Sequence, residues 1–111
     1  MQHFTLNSLV EQRQADHAPW LEFLRVDSLS MGLYELAVGS EDLQQPHSED
    51  EVYYIVEGEG QIEIAGVSRP VAAGSILFVP KRVPHHFHTI QRDLRILVFF
   101  APAEYSLADP A

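Results

Sequence analysis

His47 and Glu51 stand four residues apart, immediately ahead of Val52-Tyr53-Tyr54-Ile55-Val56. That run is β-branched and aromatic and predicts a strand. On a strand, residues four apart share a face, so an imidazole and a carboxylate project together from one wall. A carboxylate aimed inward requires a compensating charge, which a metal ion or a basic partner would supply. His85 adds a second imidazole at the start of a later strand, just after the turn bounded by Pro80 and Pro84. Two imidazoles and one carboxylate on neighbouring strands form a 2-His-1-carboxylate set, which leaves positions on a divalent ion open for water, oxygen or substrate. Such donors suit Fe, Mn, Ni or Zn, one ion per chain, and the bound ion keeps a net positive charge able to polarise a ligand or acidify its water. The same three side chains also read as a metal-free polar cluster bonded to itself.

The elements that must position these groups are mostly short strands. The central one runs from about Glu51 to Val56. Glu57-Gly58-Glu59-Gly60 predicts a tight turn, and Gln61 to Ala65 alternates cleanly, so the two segments read as a β-hairpin. Ser68 to Val71, interrupted by Pro70, and Ser75 to Val79 predict further strands. Leu94 to Phe100 is the last strand, apolar on both faces from Ile96 onward, and therefore needs cover on both sides. Upstream, Met31 to Val38 predicts a strand with Tyr34, Leu36 and Val38 on one face, and Trp20 to Val26 an outer strand with Trp20 as a packing anchor. Within residues 4–17, Ser8 and Glu11 match a capping box for a short helix, and Pro19 ends it. Eight or nine short strands with almost no helix predict an all-β sandwich or barrel. The expected organisation is one domain: an N-terminal strap over 1–19, a β-barrel over 20–100 and a loosely attached tail over 101–111.

Composition narrows the function classes. The chain has 111 residues, 46% of them hydrophobic, enough for one core. Sixteen acidic against seven basic residues, a formal charge of -9, argue against nucleic acid and against an anionic membrane surface as partners. There is no cysteine, which excludes disulfides, thiolate metal sites and cysteine catalysis. No apolar run approaches the roughly 20 residues of a membrane span, and the first residues lack a signal-peptide pattern. A soluble cytoplasmic protein is expected.

These residues together resemble the cupin superfamily, small barrels of the jelly-roll or double-stranded β-helix type. The first cupin motif, G-x5-H-x-H-x3,4-E-x6-G, is met by Gly39, His47, Glu51 and Gly58, with Gln45 where the first His would stand. The second, G-x5-P-x-G-x2-H-x3-N, is met by Gly74, Pro80 and His85, with Arg82 in place of the Gly and Thr89 in place of the Asn. The resemblance spans about Gly32 to Phe100. It implies a jelly-roll with a short N-terminal helix, metal ligation by His47, Glu51 and His85, and a fourth ligand position at Gln45. It also implies a metal-dependent enzyme, dioxygenase- or isomerase-like, on a small organic molecule; the alternative is a non-catalytic sensor or partner module.

Parity completes the site. Gln45, Tyr53 and Ile55 share the phase of Glu51, and Phe87 that of His85, so Tyr53, Ile55 and Phe87 are expected to line the pocket. His86 and His88 have the opposite phase and are expected at the surface. Glu49 and Asp50 read as a solvated acidic edge, and Lys81 and Arg82 as turn residues at the barrel mouth. No individual catalytic residue is assigned. A homodimer formed by sheet-to-sheet packing is expected to cover the last strand.

Overall fold

The computed structural model describes residues 1–108. One helix, α1 (Leu6–Asp16), precedes six strands: β1 (Trp20–Val26), β2 (Leu29–Leu36), β3 (Asp50–Ile64), β4 (Val67–Ala72), β5 (Ile76–Val79) and β6 (His85–Ala101). The strands form one antiparallel sheet in the order β1-β2-β6-β3-β4, with β5 also paired to β3. Leu36, Tyr53, Ile62, Val71, Val79 and Phe100, from five different strands, belong to one buried cluster, so the sheet wraps around a single core. This is the all-β jelly-roll barrel with a short N-terminal helix that the sequence predicts.

Its strands are fewer and longer than expected. The predicted hairpin at Glu57–Gly60 does not form, because β3 runs through it without reversing. The ladder between β3 and β6 instead slips at Ile55/Glu57, Glu57/Glu59 and Glu59/Gln61. Gly58 adopts φ 102°, and a Cβ there would lie 2.2 Å from the Asp93 carbonyl oxygen. The glycine thus permits a bulge and a close strand crossing rather than a turn. Across this bulge the buried phase changes, from Glu51, Tyr53 and Ile55 to Gly60 and Ile62. On β6 the same change, from His85 and Phe87 to Ile90, Leu94 and Ile96, falls at Thr89, whose φ is 50°. Two bent strands therefore serve both halves of the barrel, where four short ones were expected. The true hairpin is β3–β4, turned through Ala65 and Gly66, and Pro70 sits in β4 on the sheet edge, where its missing donor costs no ladder bond.

The helix is capped by Thr5, whose hydroxyl accepts from the Ser8 amide at 3.3 Å, so Ser8 is not the cap. Leu9 of α1 packs with Leu21, Leu33 and Leu97, so the helix covers part of the outer face of the last strand. The tail is not loose through residue 108. Glu49, 1% exposed, accepts from the Tyr105 amide at 2.7 Å, the Leu107 amide at 2.8 Å and the Ser48 hydroxyl. The expected solvated edge at Glu49 is instead a buried latch holding the C-terminal segment against the barrel. Asp50 beside it is exposed and accepts from the Lys81 amide at 2.9 Å. Residues 109–111, the end of the expected tail, lie outside the described residues.

Candidate metal centre

Glu51 lies at the start of β3 and His85 opens β6, at opposite ends of their antiparallel ladder, where Glu51 pairs with Phe100 and His85 with Ile64, and the curl of the sheet brings the two side chains together. His47 comes from the loop before β3. That loop is held by Asp42, buried, which accepts from the Tyr34 hydroxyl at 2.7 Å, the Phe87 amide at 2.8 Å and the Gln44 amide group at 2.6 Å. The Arg82 amide donates to the His47 carbonyl at 2.6 Å. Arg82 stands where the motif has glycine and adopts φ 64°, so this corner needs the left-handed backbone whichever residue occupies it.

Three donor atoms converge. His85 Nε2 lies 3.1 Å and His47 Nδ1 3.3 Å from the same atom, Glu51 Oε1. All three atoms are buried, and among the described residues none has a hydrogen-bond partner of acceptable geometry. His85 Nδ1 lies 2.8 Å from the Val83 carbonyl, which only accepts, so that nitrogen carries the proton and Nε2 presents a lone pair. His47 Nε2 faces Glu104 Oε2 at 3.3 Å, which in the same way favours a lone pair on Nδ1. Two imidazole lone pairs and a carboxylate oxygen directed at one point repel one another unless a metal ion or a proton lies among them, and each imidazole is oriented from behind by an oxygen acceptor. The donor set thus fits a divalent ion.

Without metal, a proton on His47 takes the place of that cation. Burial opposes a charge on His47, yet its contacts with Glu104 and Glu51 prevail and raise its pKa to about 9. Burial likewise disfavours the Glu51 carboxylate, but His47 and His85 outweigh it and hold its pKa below the usual value. The Tyr53 hydroxyl is pushed well up, first by burial and then by the charge of Glu51, so it remains a neutral donor. It donates to Gln44 Oε1 at 2.9 Å.

A cavity of about 450 Å³ opens beside the cluster. Trp20, Tyr34 and Phe100 give it aromatic walls, and His47, Glu51 and Glu104 border it. Trp20 lies close to the backbone of β2, since a Cβ at Gly32 would fall 2.0 Å from its ring.

Of the expected site residues, His47, Glu51 and His85 come together. Gln45 does not join them: it is exposed, because residues 40–48 form a loop in which strand alternation does not apply, and Gln44 turns inward instead. Tyr53, Ile55 and Phe87 face inward as parity predicts, but they lie in the packed core rather than on the cavity wall, with Tyr53 and Phe87 edge to face at 5.0 Å. His86 and His88 point outward, toward Glu63 and Ser68 respectively. Arg82 donates to the Leu107 carbonyl at 3.2 Å and borders a separate smaller cavity. Glu104 is the site residue missed by sequence reasoning. It follows the last strand, has no spacing relation to the other ligands, and reaches them only because the tail folds back. Its amide donates to the Ser30 hydroxyl at 2.9 Å and its carbonyl accepts from Arg25 at 2.6 Å.

A family profile described as "Cupin domain" matches residues 32–100. The chain is 44% identical over 104 residues to the uncharacterized protein SCO3923 of Streptomyces coelicolor, covering 94% of this chain and 99% of that one. A solved RmlC-like cupin from Shewanella frigidimarina is similar with a TM-score of 0.69 and 26% identity, over 76% of this chain and 75% of that one. The DMSP lyase DddQ from Ruegeria pomeroyi is similar with a TM-score of 0.66 and 26% identity, over 77% of this chain but 42% of that one.

Proposed function

Because the chain belongs to the cupin domain family, we propose that it is a metal-binding cupin acting as a metal-dependent enzyme, dioxygenase- or isomerase-like, on a small organic molecule held in the cavity beside Trp20. The observation that carries this reading is the convergence of three buried, unpartnered atoms, His47 Nδ1, Glu51 Oε1 and His85 Nε2. These residues would hold one divalent ion, Fe, Mn, Ni or Zn. When bound, such an ion polarises a ligand oxygen or acidifies a water. The chain's own groups do the rest. Val83 and Glu104 hold the two imidazoles in the required tautomers, Glu49 keeps the segment carrying Glu104 in place, and the aromatic walls exclude water from the ligand. DddQ, similar at 26% identity, is named a lyase, which supports chemistry on this scaffold.

Elemental analysis of the purified protein tests the reading. About one divalent ion per chain is expected, falling to trace in His47→Ala, and metal retained at full occupancy in that variant would overturn the ligand assignment.

A homodimer belongs to the same proposal. Tyr54, Ile76 and Phe78 are exposed on neighbouring strands β3 and β5 and leave an apolar sheet face that α1 does not cover. Light scattering is expected to give twice 12.5 kDa, and the mass of one chain at all concentrations would refute it.

A further inference from the structure

The charge on the cavity walls points to the class of ligand, an inference that rests on the metal-binding reading above. Three carboxylates border the cavity: Glu51 and Glu104, buried, which share His47 as their basic neighbour at 3.3 Å each, and Glu41 on the exposed rim, for which no ion pair is found among the described residues. A fourth, Glu35, is held by Arg13 at 3.1 Å and Arg95 at 3.3 Å. Among the described residues no lysine or arginine lines this cavity. The charge of a divalent ion at the His47–Glu51–His85 point is offset by Glu51 and Glu104, and Glu41 then tips the enclosure negative. Trp20, Tyr34 and Phe100 supply an aromatic wall beside Leu36, Leu43 and Val98, with the Trp20 ring steeply inclined to both Tyr34 and Phe100 at 6.2 Å.

We propose that the cavity takes a flat, apolar amine, a protonated nitrogen on an aromatic or aliphatic body, in preference to a carboxylate or phosphate of the same shape. An entering anion loses its water and meets only His47, whose charge Glu51 and Glu104 already hold, and a bound ion, whose charge the same two carboxylates would offset. An ammonium group meets carboxylates and aromatic faces, both of which attract it.

Trp20 is the sole tryptophan and lines the cavity, so its fluorescence reports occupancy. Benzylamine, benzyl alcohol and benzoate share one shape and differ in charge. Each is titrated against zinc-loaded protein and against chelator-treated protein, with metal content measured in parallel. Benzylamine is expected to bind about tenfold or more tighter than benzoate in both forms, with benzyl alcohol between them. Glu41→Gln, a change at an exposed position, is expected to narrow that ratio by roughly twofold to fivefold. Benzoate binding as tightly as benzylamine, or no saturable response to any probe up to about 10 mM, overturns the inference. An unchanged ratio in Glu41→Gln overturns the role given to the rim carboxylate. Protein that retains no zinc yet prefers benzylamine overturns only the metal reading beneath it, and zinc-loaded protein that prefers benzoate overturns only the ligand class.

Discussion

Replacing Glu49 by glutamine separates a buried latch from a solvated edge. In the native protein both carboxylate oxygens are used, Oε1 by the Tyr105 amide and Oε2 by the Leu107 amide and the Ser48 hydroxyl. Glutamine keeps one acceptor and sets an NH₂ against the other backbone N–H. With its oxygen at the Oε2 position, glutamine loses one charge-assisted hydrogen bond, that of the Tyr105 amide, at about 1.5–3 kcal/mol, and the two survivors are weakened by loss of the charge. The expected destabilisation is therefore about 2–4 kcal/mol, since Glu49 is almost fully buried and water cannot substitute in place. For a domain of this size that lowers Tm by roughly 8–15 °C. The consequence reaches the proposed metal site, because the segment that Glu49 holds carries Glu104, which faces His47 Nε2 at 3.3 Å. Thermal unfolding measures the first effect, and amide hydrogen exchange at Tyr105 and Leu107 localises it. Zinc affinity, measured by chelator competition below the melting range, should fall with the exchange protection. Glu49→Gln within about 0.5 kcal/mol of the native protein, a surface-substitution value, with both amides still protected, would refute the latch.

Three further outcomes follow from particular contacts. Glu104→Ala removes the oxygen behind His47 Nε2 and should weaken zinc binding about 10- to 100-fold, whereas Glu104→Gln, which can still accept, should retain most of it; equal affinities for all three proteins would remove Glu104 from the site. In metal-free protein the pKa of His47 is raised from 6.5 to about 9, so its contribution, up to about 3 kcal/mol, is complete below the unfolded value and lost as pH rises through the folded one. Metal-free Tm should fall across that window while the added stability from zinc grows, since ligation needs the neutral imidazole; a flat metal-free Tm contradicts the His47 contacts. Gly32→Ala should cost about 1–3 kcal/mol or more and shift Trp20 emission, because its Cβ would fall 2.0 Å from the indole; native emission and stability would contradict that packing.

How much of this was legible in the sequence depends on whether the cause is local. Strand phase is local, so Tyr53 and Ile55 were correctly turned inward with Glu51, and Phe87 with His85. The grouping of His47, Glu51 and His85 was legible from motif spacing, since His47 lies in the loop before β3, where strand phase does not apply. The turn at Glu57–Gly60 was misread because glycine licenses both reversals and bulges, and the choice between them belongs to the strand across the ladder. Without that partner, Asp93 and its carbonyl beside Gly58 are invisible. Gln45 was misplaced because a loop has no period, so counting back from Glu51 carried no information about which glutamine faces inward.

The amino-acid sequence by itself determined the all-β class and the inward phase of the central strands, which follow from side-chain chemistry and a two-residue repeat, and the grouping of His47 with Glu51 and His85, which follows from motif spacing. The tertiary structure alone decided what surrounds them. Asp42, Glu49 and Glu104 look like ordinary surface acids along the chain, and they are buried because backbone amides and imidazoles distant in sequence are folded onto them. A buried carboxylate is stable only where its donors are assembled, and that assembly is a property of the closed barrel and its returning tail.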